Sequence, residues 1–508
     1  MTTLRFKAAI YPAIAAAVLL TGCRVGPKYH TPPATAQAPP ISYKESPTEF
    51  KDTDGWKVAQ PQDAMLHGKW WEIYNDSELN GLEDQININN QNIKEYFENF
   101  MAARALIREA RSQLFPTASI GPAYTRSRSS ANLKNSTGTG GTNAGAQSSL
   151  ISMPLDVSWE PDLWGKIRNT ISDAHFQAQI SAADLENERL TEQADLAEFF
   201  FELRGQDALQ ALYASTIEAD KKALDLARAR YETGVDDQIS VVEAQNTLQS
   251  AESDAMNLGV ARAQYEHAIA VLIGTNPSAF SISVKPLNAA PPAIPIGMPS
   301  QLLERRPDIA ASERAMAVAN AQIGIAYAAF YPDLVLSASG GFNSSSLGHL
   351  FDWPSRFWSI GPSLSETILD VGLRSAGAQQ YTAIYNASVA TYRETVLTAF
   401  QQVEDYLASV RILSQQILKQ QEAVQSSQQF VDLETERYRT GIDPYVDVVT
   451  AQTTLLTNQR TLATLRIQNM TSSVQLIQAL GGGWDRTQLP TPSQVSAKPS
   501  KADTTLQQ

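Results

Sequence analysis

Cys23 is the only cysteine in the 508-residue chain, and it follows Leu20-Thr21-Gly22. A thiol after small residues matches the acylation and cleavage site of a lipoprotein signal, and Arg5 and Lys7 with the apolar run from Ala8 to Leu20 read as the export signal ahead of it. That run is too short to cross a bilayer as a helix, which takes about 20 apolar residues. A second set of chemically able residues is written twice. Arg230-Tyr231-Glu232-Thr233-Gly234-Val235-Asp236 recurs as Arg437-Tyr438-Arg439-Thr440-Gly441-Ile442-Asp443, and at the same offset Val241, Val242, Ala244 and Gln245 match Val448, Val449, Ala451 and Gln452. One cysteine and five scattered histidines leave no multi-cysteine or histidine metal cluster. No G-x-S-x-G, H-E-x-x-H or P-loop is present. The sequence therefore reads as neither enzyme nor cofactor protein, and a net charge of -13 argues against a nucleic-acid partner.

The repeated motif sits at the ends of long helical stretches. Val396, Val403, Val410, Ile417, Val424, Val431 and Tyr438 lie seven apart, the seam of coiled-coil packing, and Leu196, Leu203, Gln210, Ile217, Leu224 and Tyr231 keep the same register in the first repeat. From about Gly165 to Tyr231 such a helix would be near 100 Å long, at about 1.5 Å per residue. Gly234 and Gly441 suit the left-handed position after a helix end, Asp236 and Asp443 suit the N-caps of returning helices, and Pro444 suits a first turn. Two structural repeats follow, joined by the proline-rich stretch from Asn276 to Pro299, with a disordered tail expected after Gly483. Upstream, Leu114-Phe115-Pro116 answers Phe330-Tyr331-Pro332.

Between those prolines and the long helices the period changes to two. Ile151, Met153, Leu155, Val157 and Trp159 alternate with Ser152, Pro154, Asp156 and Ser158; Leu334, Leu336, Ala338 and Phe342 alternate with Ser337, Ser339 and Gly341; Trp358, Ile360, Pro362 and Leu364 alternate with Ser359, Gly361, Ser363 and Ser365. A weaker fourth strand runs from about Ser119 to Arg128. Strands of about ten residues with small polar side chains opposite an apolar face suit a membrane barrel, or two hairpins on a soluble core. Tyr124, Trp159, Phe342 and Trp358 near strand ends, and the polar stretch from Ala131 to Ser149 as an outer loop, favour the barrel. Four strands cannot close one, and an open edge cannot face lipid, so copies must share it: three copies give twelve strands.

Trp70-Trp71 with Asn75-Asp76-Ser77-Glu78-Leu79, Leu302-Leu303-Glu304-Arg305-Arg306-Pro307-Asp308-Ile309, and Ala319-Asn320-Ala321-Gln322-Ile323-Gly324 complete the pattern. With the repeated tips, they resemble the outer-membrane efflux proteins of the TolC and OprM type, in their lipoprotein, NodT-type branch. The resemblance implies an α+β membrane protein: a trimeric 12-stranded outer-membrane β-barrel, four strands per chain, continued by a long periplasmic α-helical barrel, with a mixed equatorial region. The expected divisions are a signal at 1–22, a lipid-anchored N-terminal segment at 23–76, a helix at 77–115 and a β-hairpin at 116–164. A helical hairpin at 165–275 and a linker at 276–301 follow. The second repeat takes a helix at 302–331, a β-hairpin at 332–368 and a helical hairpin at 369–482, before a tail at 483–508.

The implied function is the passive exit duct of a tripartite pump exporting small toxic molecules, working with a periplasmic adaptor and an inner-membrane transporter of the RND type. A lipid-anchored coiled-coil scaffold without a pore is the alternative. In the family, aspartate rings after the hairpin turn close the periplasmic tip; Asp447 falls on such a position, with Thr450 where a second acid is common. Asp447 equally suits a solvated place in a helix's first turn. Asp236 and Asp443 can line the same entrance as well as cap. Arg230, Tyr231, Thr233 and Gly234, with Arg437, Tyr438, Thr440 and Gly441, are the expected adaptor contacts, and Arg305, Arg306 and Asp308 the expected structural ion pairs at a helix start.

Overall fold

The computed structural model describes residues 24–35, 42–45, 68–128, 130, 147–294 and 301–497. Cys23, the signal at 1–22 and most of the expected outer loop therefore lie outside the described residues. In chain order the main elements are α1 (Ser77–Asn89), α2 (Gln91–Ser112), β1 (Thr117–Ile120), β2 (Ala123–Arg128), β3 (Gln147–Trp159), α3 (Lys166–Glu232) and α4 (Gln238–Leu272). They continue as α5 (Leu302–Arg305), α6 (Pro307–Ala328), β4 (Asp333–Ser344), β5 (Arg356–Ser365), α7 (Leu373–Arg439), α8 (Tyr445–Ala479) and α9 (Pro492–Ser496). The repeat is explicit in the lengths: α3 and α7 have 67 residues each, α4 and α8 have 35 each. No described helix is long and apolar enough to cross a membrane.

One compact unit gathers Met1–Thr31, Ala102–Ala178 and Arg314–Val389. It carries one antiparallel sheet in which β3 pairs with both β1 and β2, and β4 joins β3 to β5. The expected fourth strand is thus two pieces. Gly121 and Pro122 interrupt it, because proline cannot donate to the ladder, although the Gly121 amide still reaches the Pro154 carbonyl at 3.3 Å. The polar stretch from Ala131 is also shorter than expected, since β3 begins at Gln147. The pairing register places Tyr124, Ile151, Met153, Leu155, Phe342, Trp358, Ile360 and Leu364 on one face, with serines and glycines on the other. Trp358 and Ile360 are 78% and 77% exposed. A Cβ on Gly341 would run into the Met153 carbonyl oxygen, so the β3–β4 pairing requires glycine there.

Each Pro motif marks where helix gives way to strand and accepts an indole: Trp159 Nε1 donates to the Leu114 carbonyl at 3.0 Å, and Trp164 Nε1 to the Pro332 carbonyl at 2.8 Å. Each strand-to-helix turn is held by an arginine, Arg168 on Asp162 at 2.9 Å and Arg374 on Asp370 at 2.6 Å. The segment following Cys23 packs in this unit: the Val25 amide donates to the Trp164 carbonyl, Asn169 Nδ2 to the Val25 carbonyl, and Gly26 lies directly on the Gly324 backbone.

The second unit comprises Pro32–Met101, Gln179–Glu313 and Ala390–Gln508. Its larger core joins Trp70, Trp71, Leu79 and Ile86 to Leu196, Phe200 and Leu203 of α3, Ile269 of α4, and Met470, Val474 and Ile477 of α8. Asp76 caps α1 by accepting from the Glu78 and Leu79 amides. The linker after α4 forms a single 3₁₀ turn, Pro277–Ala279, and is anchored by Arg204 and Arg262, which donate to the Ser283 and Ile282 carbonyls. Arg306 pairs with Asp308 at 2.6 Å, as a structural ion pair should, and also donates to the Ala479 carbonyl at 3.1 Å. The expected disordered tail is corrected through residue 497. There α9 carries a Thr491/Gln494 capping box, and Trp484 and Val495 are buried, so the apolar side chains have a core to enter.

Candidate functional site: the paired hairpin tips

The four long helices turn back at two tips within the second unit. Gly234 and Gly441 have φ of +71° and +76°, the left-handed conformation that closes a helix C-terminus. Thr233 Oγ1 donates to the Ala229 and Arg230 carbonyls, and Thr440 Oγ1 to the Glu436 and Arg437 carbonyls. Thr and Gly are thereby accounted for in both tips by turn geometry.

The aspartates do not cap as the sequence suggested. Asp237 caps α4 by accepting from the Ser240 amide, and Pro444 occupies the N-cap of α8, so the cap falls one residue later in each tip. Asp236 and Asp443 are released for other work, and the two tips use them differently. In the first tip, the Tyr438 hydroxyl from the other hairpin donates to Asp236 Oδ2 at 2.6 Å, while Ser240 Oγ donates to Oδ1 at 3.0 Å. Arg230 lies over the Tyr438 ring at 4.6 Å, approaches Asp236 at 3.6 Å and donates to the Arg439 carbonyl at 3.0 Å. Burial alone would raise the Asp236 carboxyl, but the hydrogen bonds from Tyr438, the Asp237 amide and Ser240, with the Arg230 charge, hold it below its ordinary range. Burial and the adjacent Asp236 push the Tyr438 hydroxyl up, so it remains a proton donor. This is a latch between the hairpins: a tyrosine from one held by a carboxylate and an arginine from the other.

In the second tip Arg437 instead clasps Asp443 of its own hairpin, with Nη2 to Oδ1 at 3.0 Å, and the hydrogen bond from Arg437 lowers the Asp443 pKa. The two Arg-Tyr pairs are therefore not equivalent. Tyr438 is buried with Tyr445, Val448, Leu224 and Leu248, whereas Tyr231 is 46% exposed. Asp447 lies in the first turn of α8, half-buried, and its carboxylate comes within 4.8 Å of those of Glu434 and Asp443. Loss of solvent, the hydrogen bond with Asp443 and the neighbouring charges raise the Glu434 carboxyl, against the pull of Arg437. The cluster is an electronegative point on the tip, partly neutralised by that arginine.

Four apolar tip residues were not singled out from the sequence. Val235 and Ile442 are 64% and 67% exposed, and Ile239 and Val446 are 64% and 47% exposed. Each pair is related by the repeat offset that aligns Gly234 with Gly441, so the repeat itself held the signal. Glu434 and Tyr445 were missed too; Tyr445 continues the seven-residue spacing from Tyr438, but across a turn where periodicity loses its meaning.

Residues 82–275 and 298–482 match the outer membrane efflux protein family. Over 471 residues the chain is 31% identical to the probable efflux pump outer membrane protein TtgC of Pseudomonas putida, covering 92% of this chain and 94% of that one. It is 32% identical over 478 residues to the toluene efflux pump outer membrane protein TtgF of the same species, covering 94% and 97%. The solved outer-membrane channel OprN superposes with a TM-score of 0.77 at 26% identity, covering 91% of this chain and 100% of that one.

Proposed function

The chain belongs to the outer membrane efflux protein family, and from that premise we propose that it is the exit duct of a tripartite pump, working as a homotrimer. It is an outer-membrane efflux component with an α+β channel fold and is not an enzyme. The observation that carries the trimeric duct is the sheet. Its apolar face is exposed, and its two edges, β1–β2 on one side and β5 on the other, are unpaired among the described residues. In a bilayer such edges must be satisfied, and joining β5 of one copy to β1–β2 of the next closes a ring without leaving any. Three copies give the twelve strands that suit a pore, whose lining is then the serine and glycine face. That small polar lining fits passive conduction of chemically varied small molecules, with selection left to the partners.

The tips supply the gate and the adaptor surface in this reading. The Tyr438–Asp236–Arg230 latch keeps the hairpins together at rest, and the three copies of Asp447 with Asp443 give the entrance a negative field. Val235 and Ile442, exposed at matching places in the two tips, offer a periplasmic adaptor two similar apolar footholds, with Tyr231 exposed in the first tip, and an RND-type transporter completes the pump. Acylation of Cys23 anchors the chain to outer-membrane lipid; the packing of Arg24, Val25 and Gly26 against the unit that carries the sheet supports that placement. A poreless lipid-anchored scaffold would have no use for an exposed apolar sheet face opposite a hydrophilic one. Purified protein added to a planar bilayer should give discrete conductance steps, whereas a scaffold would leave the bilayer silent at any protein concentration.

A further inference from the structure

The two ends of the sheet differ in how their charges are balanced. At the end that joins the long helices, three cations beside the strands have carboxylates, Lys166 on Glu160, Arg168 on Asp162, and Arg374 on Glu366 and Asp370, while Arg24 donates to Asn169 Oδ1 and Ser172 Oγ. At the loop end, Arg126 and Arg128 close β2 and Arg356 opens β5, all three exposed, and none forms an ion pair among the described residues. Among the described residues Arg126 donates only to Gln147 Oε1, at 3.0 Å, and Arg356 only to the Trp353 carbonyl, at 3.3 Å, with its guanidinium over the Trp353 ring. The sequence between Arg126 and Leu155 adds Lys134 and contains no acidic residue, in a chain whose net charge is -13. The one acid of the other loop, Asp352, is engaged by His349 at 2.8 Å.

The register fixes which way these arginines face. Arg126 and Arg128 share the face of Tyr124, and Arg356 shares that of Trp358, Ile360 and Leu364, because residues two apart on a strand point the same way. They stand on the apolar, outward side, just beyond its aromatic residues, and not on the serine-lined side. Phe351 packs on Phe342 at 5.4 Å, so the second loop folds toward this outward face, leaving Trp353 77% exposed beside Arg356. Aromatic side chains followed by unpaired guanidinium groups match a boundary where hydrocarbon gives way to anionic headgroups. Arginine's planar fork is suited to bidentate phosphate contact.

We propose that Arg126, Arg128 and Arg356, with Trp353 and Trp358, form a rim that docks the phosphate groups of glycolipids in the outer leaflet. The inference rests on the trimeric barrel reading. When β5 of one copy adjoins β1–β2 of the next, Arg356 comes to the same seam as the neighbouring copy's Arg126 and Arg128, so three basic seams surround the pore and bound lipid bridges adjacent chains.

The test uses the full-length mature protein in detergent, titrated with diphosphoryl lipid A and read by native mass spectrometry, beside the variant R126Q/R128Q/R356Q. All three side chains are exposed, so the variant keeps its core. Wild type should retain diphosphoryl lipid A in preference to the same lipid stripped of phosphate. The variant should bind it about a hundredfold more weakly, each basic side chain at a lipid surface contributing about a fivefold factor. Equal binding by variant and wild type, or equal binding of the phosphate-free lipid, overturns the rim. The same spectra report oligomeric mass: a protein that is not trimeric overturns the barrel reading beneath it, whereas a trimer indifferent to the three substitutions overturns the rim alone.

Discussion

In the proposed gate, Tyr438 is the residue on which the tip turns. Its ring is core, packed edge-on to Tyr445 at 5.2 Å, while its hydroxyl reaches Asp236 on the other hairpin. Tyr438→Phe keeps the packing and removes only the hydrogen bond to a charged acceptor, worth about 1.5–3 kcal/mol. Channel recordings should show the open state favoured by about tenfold or more, since roughly 1.4 kcal/mol is a factor of ten. Tyr445→Phe, equally buried but with no partner for its hydroxyl among the described residues, should leave gating unchanged; equal behaviour of the two variants would remove the latch. Because the Asp236 carboxyl is held below its ordinary range, the latch's contribution is complete above that range and is lost as pH falls through the depressed value. Gating should therefore be flat from about pH 8 to 5 and loosen only in stronger acid. The sequence pointed to both aspartates and both tyrosines because the repeat sets them side by side. It could not show that one tyrosine is buried and the other exposed, since that difference arises when two near-identical hairpins pack on each other and only one seam can turn inward.

At the scale of elements, the long helices were legible from their seven-residue spacing: Val396 and Val403 are fully buried, and Val410, Ile417, Val424 and Val431 are partly so. Alternation gave the strands for the same reason but ran β1 and β2 together as one, because it does not register that Pro122 lacks the amide proton a ladder needs. What periodicity could not convey is the row of carboxylates that α3 carries into its packed portion. Burial and then the Asp195 charge raise Glu198 to about 7, although Gln475 donates to it, and burial raises the fully buried Glu83 of α1 well above the ordinary carboxylate range. A carboxyl raised on folding takes up a proton between its ordinary value and the raised one, so stability falls as pH climbs through that window. Wild type should thus melt at a lower temperature at about pH 8 than at about pH 5, and Glu198→Gln should flatten that dependence by stabilising the protein at the higher pH. Parallel melting profiles for the two proteins would show that Glu198 stays charged and solvated in the fold.

For the whole molecule, one chain supplies a sheet that cannot close, and the physics of lipid demands that it be closed. The Trp70-Trp71 and Leu302–Ile309 motifs and the repeated tips pointed to the right family from sequence, because those residues fix particular packing and turns. The proposed trimer is written less directly, in what the chain leaves unsatisfied: an outward apolar face and two edges, β1–β2 and β5, unpaired among the described residues. The most direct test is electron cryomicroscopy of the mature protein in detergent micelles. Threefold particles with a continuous twelve-stranded barrel, β5 of each copy hydrogen-bonded to β1–β2 of the next, are the expected result. Monomers, or oligomers in which those two edges remain apart, would contradict the shared barrel and the duct built on it.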